Sequence, residues 1–169
     1  MIDTAQRAYW EDENRITRSP THPVVQAFVE PKMRFVERNI NLSQIFTLLD
    51  VGCGNGTFQF YLAKWANAVG VDYSRHMLAM NPCRKLVQAN SYALPFDRDS
   101  FDLVFESNLL HHVENPVKAL SEMKRVSRQF VVLHEPNRDN PAQFLFSLVA
   151  EEEKGGLWSS VSRLKRLAC

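Results

Sequence analysis

The chain has only three cysteines, at positions 53, 83 and 169, and their separations fit neither a zinc site nor a disulfide framework. Reduced thiols in the cytoplasm are the expectation. Charge of neither sign dominates: 20 Lys and Arg stand against 19 Asp and Glu, a net of +1, which leaves no broad basic field for nucleic acid. No apolar run approaches the roughly 20 residues that cross a bilayer. Met1-Ile2-Asp3-Thr4-Ala5-Gln6-Arg7 is too polar to open a secretion signal. There is no internal repeat and no low-complexity segment. What is present is an ordinary globular composition, 45% apolar over 169 residues. A single α/β unit of that size buries roughly two-thirds of its unfolded surface.

Glycine is scarce too, six residues in all, yet three of them stand at 52, 54 and 56. The stretch Leu48-Leu49-Asp50-Val51-Gly52-Cys53-Gly54-Asn55-Gly56-Thr57 reads as a buried strand that ends in a carboxylate and breaks into a tight turn. A helix is expected next, with Phe58, Tyr61, Leu62 and Trp65 on one face. Asp72 closes a second apolar run, Ala68-Val69-Gly70-Val71, at 72 − 52 = 20 positions beyond Gly52. A carboxylate at that place takes the two hydroxyls of a ribose in nucleotide-binding α/β domains. Dinucleotide sites use G-x-G-x-x-G and seat a pyrophosphate on a helix N-terminus. Here the spacing is G-x-G-x-G with Asp50 directly before it, and a carboxylate repels a pyrophosphate. It suits a cationic nucleoside, one bearing an ammonium and a sulfonium: S-adenosylmethionine.

Five blocks follow one another in order: LLDVGCGNGTF, VGVDYSRHML, NSYALPF, SFDLVFESNLLHHV and FVVLHEPNR. Over about residues 47–138 the chain thereby resembles the class I S-adenosylmethionine-dependent methyltransferases, in the pattern of the small-molecule branch often called type 11. The resemblance implies an α/β fold with a doubly wound, mostly parallel sheet and helices on both faces. It implies S-adenosyl-L-methionine as cofactor, a small-molecule methyl acceptor, and a cofactor-binding set of Asp50, Gly52, Gly54, Asp72, Tyr73, Met77, Asn90, Ser91 and Glu106. Within that set Tyr73 and Met77 would lie against adenine. Asn90 stands where relatives carry an aspartate; it keeps a carbonyl acceptor but not the charge. Ser91 would offer its backbone N–H, and Glu106 opens the segment that holds the methionine part. Each position also has a plainer reading. Asp50 caps the turn, Asp72 caps the helix after Ser74, Tyr73 and Met77 fill core, and Asn90-Ser91 is a turn.

The elements expected along the chain are strands at 47–51, 68–72, 85–89, 101–106 and 130–134. Helices are expected over 22–40, broken near Pro31, over 74–80, and from Asn115 with Pro116 at its first position. Val24, Val25, Phe28, Met33, Phe35 and Val36 are the core candidates of the first helix, and Val117, Leu120 and Met123 those of the last. The layout divides into an N-terminal helical cap (1–40), a cofactor-binding core (45–135) and C-terminal helices (139–169). Relatives close the sheet with a final strand pair, and this chain stops where that pair would begin. Either the sequence is a shortened piece of a longer chain, or the fifth strand is an edge to be covered by the last helix, by a second copy or by a partner.

Methyl transfer from a sulfonium needs alignment and exclusion of water more than acid–base help. If a general base is used, His111, His112, His134 and Glu135 are the candidates, with structural roles for the histidines equally consistent. Tyr9 and Trp10 either fold over the cofactor or pack. No metal site is expected. Two other readings stay open: a non-catalytic partner subunit of the same fold, and a nicotinamide-dependent oxidoreductase.

Overall fold

A computed structural model of the protein describes residues 9–12, 17–141, 160 and 162. The elements are α1 (Pro23–Asn39), a 3-10 turn (Leu42–Gln44), β1 (Thr47–Val51) and α2 (Gln59–Leu62). They continue with β2 (Asn67–Asp72), α3 (Arg75–Ala79), β3 (Leu86–Gln88) and β4 (Phe101–Ser107). A second 3-10 turn (Leu110–His112), α4 (Pro116–Val126) and β5 (Ser127–His134) complete the order. The five strands form one sheet in the order β3-β2-β1-β4-β5. Every neighbouring pair is parallel. Among the described residues no strand lies beyond β5, and no helix is long and apolar enough to cross a membrane. The expected C-terminal helices fall outside the described residues, apart from 139–141, 160 and 162.

Successive side chains of a strand point to opposite faces, so each central strand feeds two cores. Leu49, Val51 and Val104 join Leu110, Ala119, Leu120, Met123 and Val126 on the α4 side. Leu48, Leu103 and Phe105 join Val29, Met33, Val36, Phe58 and Leu62 on the α1–α2 side. This double burial explains why β1 and β4 are apolar almost throughout.

Asn115 caps α4 as its sequence suggests, its side-chain oxygen accepting the Lys118 N–H at 3.0 Å with Pro116 behind it. Asn115→Ala is expected to cost about 1 kcal/mol. Thermal denaturation measures this, and an unchanged midpoint would mean that Pro116 alone fixes the start.

Three expectations need correcting. The first helix is not broken: α1 runs through Pro31. Pro31 and Ala27, whose carbonyl loses its N–H partner, both lie on the exposed side, where that carbonyl is open to solvent. The buried stripe of α1 is Val29, Met33 and Val36, whereas Val24, Phe28 and Phe35 are exposed by 58%, 45% and 64%. They form a second apolar stripe that the sheet does not bury, although the Phe28 ring reaches Phe58 and His134. On α4 Val117 is likewise exposed, and Ala119 and Val126 complete the inward face. The helix after the glycine turn is a single turn. Phe58, Tyr61, Leu62 and Trp65 still share one face, with Phe58 and Leu62 buried and Tyr61 and Trp65 packed against the same core; the Tyr61 hydroxyl donates to the Pro20 carbonyl at 2.8 Å.

Candidate functional site

The chain leaves β1, builds outward through β2 and β3, then returns to place β4 on the other side of β1. Where the order reverses, loops splay from the carboxyl ends of the strands and leave a crevice. A cavity of about 300 Å³ lies there. Its wall is the glycine turn (52–55) in the middle, Asp72, Tyr73, Met77, Ala89 and Ser91 toward β2 and β3, and Ser107, Asn108, Leu109 and His112 toward β4.

The turn after β1 is set by backbone contacts. Gly52 and Cys53 donate to the Val71 carbonyl at 2.8 and 3.0 Å, tying the turn to β2. Gly54 has φ +49, and a Cβ there would sit 3.1 Å from the Met77 methyl. Gly56 has φ +83, with the buried Asn81 amide where a Cβ would go, at 2.4 Å. Both positions favour glycine on conformation, and Gly56 requires it on space as well.

Asp72 anchors this turn. One carboxylate oxygen accepts the Gly54 N–H at 2.8 Å and the other accepts the Ser74 N–H at 2.8 Å. Burial raises its pKa, and those backbone bonds oppose the rise. Asp50 lies behind the turn: it is 2% exposed and does not line the cavity. Burial, then the charge of Asp72, pushes its pKa up to about 8. One of its carboxyl oxygens has no hydrogen-bond partner among the described residues.

Gly52, Gly54, Asp72, Tyr73, Met77 and Ser91 thus share the cavity wall, whereas Asp50, Asn90 and Glu106 stand outside it. The Asn90 side-chain oxygen accepts the Tyr92 N–H at 2.9 Å, which shapes the turn that presents Ser91. Glu106 is fully buried and accepts the Leu109 N–H at 3.2 Å and the His134 N–H at 3.1 Å. Of the four base candidates only His112 lines the cavity. His111 is buried with Nδ1 2.7 Å from Glu135, which also accepts the Leu110 N–H at 2.7 Å. His134 Nδ1 lies 3.0 Å from the Ser107 hydroxyl, and burial, then the Lys32 charge, lowers its pKa to about 4, so the ring is neutral near pH 7.

Trp10 lines the cavity, with its ring edge-on to His112 at 5.4 Å, while Tyr9 packs on Trp10 at 5.0 Å without reaching the wall. The N-terminal segment is held by side chains that grip its carbonyls: Ser74 on Trp10 at 2.8 Å, Asn55 on Arg18 at 3.1 Å and Tyr61 on Pro20. Phe28 and Phe58, read from sequence as core, both face the cavity, 6.0 Å apart. A second apolar stripe on α1 was the one signal that pointed to Phe28.

A parallel sheet with this strand order, a glycine turn after β1 and an acid at the end of β2 defines a Rossmann-like domain of the methyltransferase kind. Its backbone superposes on an S-adenosylmethionine-dependent methyltransferase from Thermotoga maritima with a TM-score of 0.72, over 86% of this chain and 70% of that one, at 20% identity. Residues 49–132 match the family described as methyltransferase domain. Over residues 49–132, about half of its length, the chain carries a methyltransferase domain of the type 11 family. It is 40% identical over 82 residues to an uncharacterised protein of Methanocaldococcus jannaschii, covering 48% of this chain and 36% of that protein. It is 36% identical over 89 residues to a demethylmenaquinone methyltransferase of Roseiflexus castenholzii, covering 47% of this chain and 37% of that enzyme. The matched part spans just over a third of the length of these relatives.

Proposed function

We propose that the cavity binds S-adenosyl-L-methionine and that the protein transfers the methyl group to a small-molecule acceptor. The observation that carries this reading is Asp72, held at the end of β2 by Gly54 and Ser74 with its carboxylate on the cavity wall. The residues present fit the group. The space beside Gly54 is a cradle that a Cβ would fill, and behind the turn the buried Asp50 carboxyl keeps an oxygen without a partner among the described residues, which a nearby cation would draw toward the charged form.

In this reading Asp72 takes the ribose hydroxyls, Tyr73 and Met77 lie along adenine, and Ser91 offers its backbone N–H to the ring. Asn90 acts through the turn that presents Ser91, and Glu106 through the amide of Leu109. Gly52, Gly54 and Asp50 serve the cationic part. When bound, the cofactor supplies a methyl group on sulfonium, already activated for displacement. The chain aligns the acceptor with that methyl and excludes water. Trp10, Phe28 and Phe58 line the side on which the acceptor enters, and their rings favour an apolar or aromatic group. His112, beside Trp10, is the histidine placed to receive a proton from the acceptor.

Isothermal calorimetry tests the cofactor assignment. S-adenosylmethionine is expected to bind, and S-adenosylhomocysteine to compete with it. Saturation by a nicotinamide dinucleotide with no response to either nucleoside would reverse the assignment.

A further inference from the structure

We propose that Glu135, through a proton shared with Glu106, is a positioning residue that sets the cavity wall formed by residues 107–112. The inference rests on the cofactor reading above and goes beyond it, because neither carboxyl touches the cavity. β4 and β5 run side by side, with Glu106 opposite Leu133 and Ser107 opposite His134. Both strands thus deliver a carboxyl to the underside of the turn that follows β4. Both are buried.

Three successive amides of that turn are fixed, each by a different partner. Asn108 donates to the His134 carbonyl at 2.9 Å, Leu109 to Glu106 at 3.2 Å and Leu110 to Glu135 at 2.7 Å. Glu135 also accepts His111 Nδ1 at 2.7 Å. The backbone needs such restraint, since Asn108 has φ +58, a left-handed conformation that costs a non-glycine residue energy. The outward side of the same turn presents Ser107, Asn108, Leu109 and His112 to the cavity.

The two carboxyls accept adjacent amides of one turn and are near enough to perturb each other's ionisation. Two carboxylates so deeply buried cannot both ionise, so the pair keeps one proton between them. The proton belongs on Glu106. Burial, then the charge of Glu135, raises its pKa well above the carboxylate range. Burial is also the largest single influence on Glu135 and opposes its ionisation, but the bond and charge of His111, Glu106 and the Leu110 amide together outweigh it and hold that pKa low. Other charged or titratable groups facing the pair are His111 on the turn, His134 on β5 and, beyond it, Lys32 of α1.

The folded-state pKa of Glu106 is raised, so its contribution is complete below the unfolded value and disappears as pH rises through the folded one. Deprotonation sets two carboxylates against each other in an apolar surrounding, and the amide anchors of 109 and 110 give way. The cavity wall then loses its shape on the alkaline side.

The experiment is calorimetric titration of S-adenosylmethionine from mildly acidic to alkaline pH in wild type, Glu106→Gln and Glu135→Gln, with melting midpoints recorded alongside. Wild-type affinity is expected to fall several-fold toward alkaline pH. Glu106→Gln keeps a donor to Glu135 and has no proton to lose, so its fall is absent, although its single oxygen can accept only one of the Leu109 and His134 N–H groups and its affinity starts lower at every pH. The Asp50 pKa is raised as well, but Asp50 is present in both proteins, so the difference between the profiles belongs to the pair. Glu135→Gln cannot accept Leu110 and His111 together and is expected to weaken binding about tenfold at neutral pH. An equal alkaline fall in Glu106→Gln, or an unchanged dissociation constant in folded Glu135→Gln, overturns the proposal. Nuclear magnetic resonance separates the two readings. The Leu109 and Leu110 amide shifts are expected to move together in one step with pH even without ligand. A flat response sinks the acid pair, whereas a step without cofactor binding at any pH sinks only the cofactor reading.

Discussion

Replacing Asp72 by alanine is expected to weaken S-adenosylmethionine binding by roughly 1.5–3 kcal/mol, the scale of hydrogen bonds to a charged group, or about ten- to a hundredfold in Kd. The loss has two sources. One is the contact with the ribose. The other is the 2.8 Å bond from Gly54, which fixes the glycine turn to the end of β2. Asp72→Asn separates them. Its amide oxygen can still accept the Gly54 N–H and hold the turn, while the Ser74 N–H loses its acceptor and the paired contact to two hydroxyls is reduced. The order wild type, then Asn, then Ala is expected in calorimetric affinity. A folded Asp72→Ala protein that binds as tightly as wild type would remove this carboxylate from the site.

Gly70→Ala is expected to be the most damaging single-methyl change, at about 2–4 kcal/mol from overpacking and the disruption of a buried polar contact. An added Cβ would lie 2.2 Å from the Gln59 side-chain oxygen and 2.7 Å from the Cys53 sulfur. Gln59 is fully buried and cannot swing into solvent. Its oxygen accepts Asn81 at 2.9 Å, its nitrogen donates to the Lys85 carbonyl at 3.1 Å, and Asn81 reaches the Gly54 carbonyl at 3.1 Å. The clash therefore travels from the middle of β2 into the glycine turn. At roughly 2–4 °C per kcal/mol for a chain of this size, the melting midpoint should fall by about 5–15 °C. Adding Gln59→Ala should recover part of that fall. If the double variant is no better than the sum of the singles, the steric account is wrong.

Local signals carried much of the architecture. β1 ends at Val51 and α4 starts at Pro116 as the sequence suggests, because a glycine turn and an Asn-Pro cap act within a few residues. The ends of β3 and β5 shifted, since strand ends depend on what the neighbouring strand offers. The face of α1 was misread for a different reason. It has two apolar stripes, and only the sheet decides that Val29 and Met33 go inward while Phe28 turns to the cavity. Within the site, the turn and Asp72 were legible because spacing encodes them. The Gln59–Asn81 contact beneath Gly70 was not, because it joins residues 22 apart in the chain through a space only the folded sheet creates. The placement of Asp50 behind the turn, rather than on the wall, likewise depends on which way a strand side chain points at its last pleat. The Glu106–Glu135 pair needs the β4–β5 register, which no local pattern specifies.

The N-terminal segment that reaches the cavity through Trp10 is fastened by Ser74, Asn55 and Tyr61, each gripping a main-chain oxygen. Every amino acid supplies such an oxygen. The fastening therefore places no demand on the identity of residues 10, 18 and 20, and evolution can exchange them to suit a new guest without loosening the clasp. Selectivity and attachment are written in different parts of the chain.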